Sequence, residues 1–238
     1  MNLDAAPDIE TSSNAYARRF TGKAGGMFLS RQEALVMQAL ADKELVTILD
    51  VGGGHGQLSG PLAACGHQVT VLGSAPECAE RLALDKRNTG VTFTTGPLNR
   101  LPFEDRSFDT VVSIRTIAHV EDWEHFLHEL CRVASHSVVI DYPELASSNI
   151  LSLVTFKLKK QIEGDTRLYS SFRSSTLRQA FAANGFRVTS INRQFLLPMA
   201  LHRAGKGAAP LRAIERVGRA IGMTRFAGNP GIMRADQR

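Results

Sequence analysis

Leu49-Asp50-Val51-Gly52-Gly53-Gly54-His55-Gly56-Gln57-Leu58-Ser59 is the stretch whose reading decides the fold of this 238-residue chain. It continues the β-branched run Val46-Thr47-Ile48, which reads as a strand, and the apolar residues beyond Gly56 read as a helix. The unit is therefore strand, glycine turn, helix. Glycines at 52, 54 and 56 let a backbone adopt turn conformations closed to other residues and come close to a ligand. The helix behind them offers unpaired N–H groups to a negatively charged moiety. The dinucleotide pattern G-x-G-x-x-G fails in both registers, because glycine would be needed at 57 or 59, where Gln57 and Ser59 stand. That argues against a nicotinamide oxidoreductase. The pattern that fits is D-x-G-x-G-x-G.

Working outward, Gln68-Val69-Thr70-Val71-Leu72 is a second strand, and Pro76 and Glu77 mark a following helix start. Val91 to Thr95 and Phe108 to Ile114 read as further strands. A helix over about Glu121 to Val133 leads to a fifth strand, Ser137 to Asp141. Strands alternating with helices at this spacing give a doubly wound α/β fold with helices on both faces of a parallel sheet. Beyond residue 145, helices are expected over 148–162 and from Ser174 to Asn184, then a strand from Phe186 to Leu197 and a short last strand, Gly231 to Arg234.

The segment Leu101-Pro102-Phe103-Glu104-Asp105-Arg106-Ser107-Phe108-Asp109-Thr110-Val111-Val112-Ser113 and the segment Ile117-Ala118-His119-Val120-Glu121-Asp122 follow the glycine motif in order. Together the three resemble the class I S-adenosylmethionine (SAM) dependent methyltransferases, in their ubiquinone/menaquinone C-methyltransferase-like branch. The resemblance implies a single Rossmann-like domain over 1–238 with sheet order 3-2-1-4-5-7-6 and an antiparallel seventh strand. It also implies lid segments at 1–30 and 144–172. SAM would be the cofactor, S-adenosylhomocysteine the product, and no metal is implied. Gly52, Gly54, His55 and Gly56 would surround the methionine moiety, with Asp50 near its ammonium group. Tyr16 or Arg19, in Tyr16-Ala17-Arg18-Arg19-Phe20, would hold its carboxylate. The ribose and adenine would meet Gly73, Ser74, Pro97, Leu98 and Asn99, with Ser113 at the end of the fourth strand.

Two departures stand out. Gly73 occupies the place of the family's ribose-binding acid, and Pro97 that of the acid facing adenine. Each lost charged hydrogen bond costs on the order of 1.5 to 3 kcal/mol, so an Asp at 73 is expected to strengthen binding. A degenerate, non-catalytic binding protein is the rival reading. On the acceptor side, Arg115 and His119 follow the fourth strand and Tyr142 the fifth, with His119 placed to take a proton.

Composition agrees with a folded chain: 43% hydrophobic, 21% charged, net charge +5. Three cysteines at wide spacing give neither a disulfide framework nor a zinc site. The N-terminus lacks the pattern of a secretory signal, so a cytoplasmic, possible membrane-peripheral location is expected. Residues 201–238 carry eight basic side chains against two acidic ones, leaving 1–200 slightly acidic, which disfavours nucleic acid. Residues 208–222 read as an amphipathic basic helix between the sixth and seventh strands. Leu211, Ile214, Val217 and Ile221 share one face, and Arg212, Arg216 and Arg219 the other. Two roles fit: packing on the body, or contact with an anionic membrane that delivers a lipid-like acceptor. A small-molecule acceptor is the other expectation.

Overall fold

In a computed structural model describing residues 6–145, 169–205 and 208–238, the apolar runs become seven strands. These are β1 (Thr47–Val51), β2 (Gln68–Gly73), β3 (Thr92–Thr95), β4 (Phe108–Ser113), β5 (Ala134–Tyr142), β6 (Phe186–Phe195) and β7 (Asn229–Gln237). They form one sheet in the order β3-β2-β1-β4-β5-β7-β6. The first five are parallel and β7 runs antiparallel to both neighbours, the topology expected from the sequence.

β1 lies near the centre because both of its faces are apolar. Leu49 and Val51 join Leu127, Leu130 and Phe181 on one side of the sheet. Ile48 joins Leu35, Val36, Leu62 and Val139 on the other. Period-two alternation with no polar face is what a sheet covered on both sides requires. The chain reverses its winding between β1 and β4, and in open α/β sheets the crevice at the carboxyl ends of such strands is where ligands bind.

The helices are α1 (Asp8–Thr11), α2 (Asn14–Ala17), α3 (Gly22–Ala39), α4 (Ser59–Ala64), α5 (Glu80–Leu84), α6 (Trp123–Val133), α7 (Ser174–Ala183), α8 (Met199–Ala204), α9 (Ala209–Ala220) and α10 (Met223–Ala227). Three differ from expectation. The last nine residues of the segment 1–30 begin α3, whose Phe28, Gln32, Leu35, Val36 and Ala39 are buried. The helix behind the glycine turn starts at Ser59 rather than Gly56, because Gly56 takes a left-handed conformation (φ 72°) that ends the preceding single turn. The last strand spans nine residues instead of four, because β5 and β6 pair with it along both edges. The helix expected over 148–162 and most of the 144–172 lid lie outside the described residues.

α9 does lie between β6 and β7, but three of the four residues of its apolar stripe do not pack on the body. Ile214, Val217 and Ile221 are 46%, 57% and 64% exposed. Glu215 and Gly218 face inward instead. The Glu215 carboxylate accepts N–H bonds from Leu196 (3.0 Å) and Leu197 (2.8 Å) and meets His202 Nε2 at 3.1 Å. A buried carboxylate must be satisfied in this way, and doing so fixes the rotation of the helix. Among the described residues, no helix is long and apolar enough to cross a membrane.

Candidate functional site

The glycine turn leaves the carboxyl end of β1 with Gly52 at φ 76° and Gly56 at φ 72°, flanking a single turn over Gly53–His55. Gly54 has a different reason to be glycine: a Cβ there would lie 2.4 Å from both the Cys78 carbonyl oxygen and Ser12 Oγ. Asp50 sits beneath the turn, 2% exposed, with its carboxyl against Gly53. Burial pushes its pKa up to about 7, opposed by the nearby Arg115 charge.

The loop after β4 supplies that cation. Arg115 is held at φ 65°, a left-handed conformation unusual for a residue with a side chain. Its N–H donates to Asp141 Oδ1 at 2.6 Å, and Gln32 Nε2 donates to Asp141 Oδ2 at 2.9 Å. Asp141 thus clamps the turn from β5, and burial raises its own pKa to about 6. The Arg115 guanidinium lies 5.9 Å from the Tyr16 ring centre and 5.1 Å from that of Phe20, a cation–π arrangement. The same two rings contact His55 edge to face, at 6.3 and 5.9 Å. Burial, with help from Arg115 and Arg81, drives the His55 pKa down to about 3, so its imidazole is neutral.

At the carboxyl end of β2, Gly73 has no room for the acid that would have occupied it. A Cβ there would lie 2.6 Å from Cys78 Cβ and 3.0 Å from Phe93 Cζ. The expectation that Gly73→Asp strengthens binding is therefore corrected: the larger residue has to displace its neighbours first. The next residue, Ser74, donates its N–H at 2.8 Å to the carboxylate of Asp8, on α1.

The remaining sequence candidates divide. His119 is half-buried, with its ring 5.5 Å from that of Tyr169. Arg115, expected to face the acceptor, lies beside Asp50, His55 and Tyr16. Arg19 turns outward to Glu10 at 3.4 Å and over Tyr16. Tyr142, expected on the acceptor side, is fully buried in the core. Its hydroxyl bonds Ser174 Oγ at 2.8 Å, and burial raises its pKa to about 12. The alternation of β5 explains this, since Asp141 points to the site and its neighbour Tyr142 to the other face. Ser113 Oγ donates to the Val51 carbonyl at 2.9 Å, joining β4 to β1. Leu98 is in the core, whereas Pro97 and Asn99 are exposed.

Several polar atoms converge on the glycine turn, buried and without a hydrogen-bond partner among the described residues. They are Asp8 Oδ1, Ser12 Oγ, both His55 nitrogens, Ser74 Oγ and Arg115 Nη1. An unpaired buried polar group costs about 1 to 3 kcal/mol, and so many in one place mark a site built for a polar ligand. Buried Asp50 and half-buried Arg115, near enough to interact electrostatically, match the ammonium and carboxylate of an α-amino acid. Asp8, Ser12, Gln32 and Phe20 escaped the sequence reading because nothing local links them to the turn. The spacing of Phe28, Gln32, Leu35, Val36 and Ala39 is the signal that could have found the helix that carries Gln32.

Residues 49–139 match the family model described as a methyltransferase domain. Norajmaline N-methyltransferase of Rauvolfia serpentina is 33% identical over 116 residues, 45% of this chain and 39% of that protein. An uncharacterized protein of Mycobacterium tuberculosis is 34% identical over 90 residues, 37% of this chain and 33% of its own. The chain thus spans between about a third and two fifths of the length of these two relatives. In fold, the chain is similar to magnesium protoporphyrin IX methyltransferase from Synechocystis, solved with S-adenosylhomocysteine bound. The TM-score is 0.64 at 18% identity, covering 96% of each chain. Residues 49–139 thus match a methyltransferase domain, and the sheet has the order of the Rossmann-like methyltransferase fold.

Proposed function

We propose that this protein is a SAM-dependent methyltransferase acting on a small-molecule or lipid-like acceptor. The observation that carries the reading is the set of unpartnered buried polar atoms around the glycine turn, with Asp50 and Arg115 near enough to interact electrostatically. Asp50 would take the ammonium of the cofactor and Arg115 its carboxylate, both charge-assisted hydrogen bonds. Ser74 would serve the ribose. The bound cofactor supplies an electrophilic methyl group on a sulfonium. The tasks left to the protein are alignment of the acceptor and exclusion of water. Tyr16 and Phe20 cover the glycine turn, and His119 stands at the end of β4 to receive a proton from the acceptor. The matched N-methyltransferase supports a small molecule as acceptor.

Calorimetry with SAM and S-adenosylhomocysteine tests the reading; no binding of either by the folded protein would refute it. The pH dependence is a sharper check. Asp50 is raised to about 7 in the free protein, so below that pH its proton must leave before a cation can pair with it. Affinity for S-adenosylhomocysteine is expected to fall about tenfold per pH unit between pH 7 and 5, and Asp50→Asn to remove that slope. Folding responds with the opposite sign: a raised carboxyl pKa stabilises the free protein at low pH, and this stability is lost as pH rises through about 7.

A lipid-like acceptor is favoured by the patch on the far elements. Ile214, Val217, Ile221, Met223 and Phe226 are exposed, Phe226 by 77%. Arg212, Arg216, Arg219 and Arg225 are exposed on the same two helices. Apolar side chains ringed by arginines suit an anionic lipid surface, at about 1 kcal/mol per basic residue. Co-sedimentation is expected with anionic vesicles and not neutral ones, to weaken with salt, and to be lost when Arg212, Arg216 and Arg219 become Gln. Equal binding to both vesicles, or no loss in that variant, would rule the surface out.

A further inference from the structure

We infer that Asp8, carried on the N-terminal helix α1, replaces the missing ribose-binding acid of β2 and holds the cofactor's vicinal diol. The inference rests on the SAM reading of the site, and four observations support it. Position 73, the end of β2, cannot itself carry an acid, since a Cβ would lie 2.6 Å from Cys78 Cβ. The Asp8 carboxylate stands at that strand end, where its Oδ2 accepts the Ser74 N–H at 2.8 Å and the Cys78 thiol at 3.4 Å. Asp8 is 1% exposed, yet its second oxygen, Oδ1, has no partner among the described residues. Beside it, Ser74 Oγ and Ser12 Oγ are also buried and unpartnered.

A buried carboxylate oxygen is costly unless donors meet it. The complementary ligand group is a pair of hydroxyls, each an O–H donor, and a ribose diol offers that pair. The hydrogen bond to Ser74 fixes one oxygen and leaves the other without a donor. α1 is also fastened from its far side, where Arg81 Nη1 donates to Asn14 Oδ1 at 2.8 Å on α2. The segment thus covers the glycine turn, with Ser12 Oγ beside Gly54, and brings the acid with it.

The test is calorimetry of the full chain and of Asp8→Asn with S-adenosylhomocysteine and with its 2′,3′-dideoxy counterpart. The Asn side-chain oxygen still accepts the Ser74 N–H, so α1 keeps its anchor, and thermal melting checks this. The expected result is that Asp8→Asn weakens S-adenosylhomocysteine about 10- to 150-fold, the range of one charge-assisted hydrogen bond, and leaves the dideoxy ligand unchanged. Asp8→Glu, which keeps the charge one methylene further out, is expected to recover part of the loss. Equal weakening of both ligands would show that Asp8 only seats the helix, and no weakening of either would remove it from the site; each overturns the inference while SAM binding stands. Failure of the unaltered chain to bind S-adenosylhomocysteine would instead overturn the cofactor reading, and this inference with it.

Discussion

Gly54→Val is expected to abolish S-adenosylhomocysteine binding, by at least about 100-fold, while the sheet melts as before. The added Cβ would lie 2.4 Å from the Cys78 carbonyl oxygen and from Ser12 Oγ, inside the distance any pair of non-bonded atoms tolerates. The Cys78 carbonyl belongs to backbone and cannot rotate away, so the glycine turn or α1 must move. Either displacement spoils the pocket that Asp8, Ser74 and His55 share. The clash stays local because Gly54 lies on a turn beyond the strand end and contributes nothing to the two apolar layers on β1. Calorimetry paired with a circular dichroism melt reads both halves of the expectation. Unchanged affinity in a folded variant would place the ligand elsewhere.

Arg115→Gly likewise separates stability from function. Arg115 is held at φ 65°, a conformation that costs a residue with a side chain about 1 kcal/mol and costs glycine nothing. The substitution also removes a buried guanidinium whose Nη1 has no partner. The melting temperature is therefore expected to stay level or rise. Affinity for S-adenosylhomocysteine is expected to fall about 10- to 150-fold, the value of a charge-assisted hydrogen bond to a carboxylate. Turnover at saturating cofactor would change less than affinity, because the lost contact is made equally in ground and transition states. A variant that melts earlier and binds normally would show that Arg115 serves the fold and not the ligand.

The contrast between Asp50 and Asp8 shows how much of the site was legible in one dimension. Asp50 sits two residues before Gly52, so the motif itself names it. Asp8 lies 66 residues from the Ser74 N–H that it accepts, and no spacing rule connects them. Tyr142 is the opposite case. Its place after a strand end suggested a substrate contact, but the direction of a side chain on β5 depends on the pairing register, here Tyr142 against Gly231. A one-residue difference in register exchanges the faces.

By itself, the sequence determined the doubly wound sheet and the glycine turn behind its first strand, because these follow from hydrophobic period and glycine placement, while the strand order was implied by the resemblance of its three motifs to a known family. The tertiary structure alone decided which side chains complete the site and which face of α9 meets solvent. An acid missing from β2 and a carboxylate on α1 are separate facts until folding brings them within a hydrogen bond of Ser74. The apolar stripe of α9 faces outward because buried Glu215 must satisfy the N–H groups of Leu196 and Leu197. The cost of leaving buried polar groups unpaired outweighs the preference for burying a few aliphatic side chains.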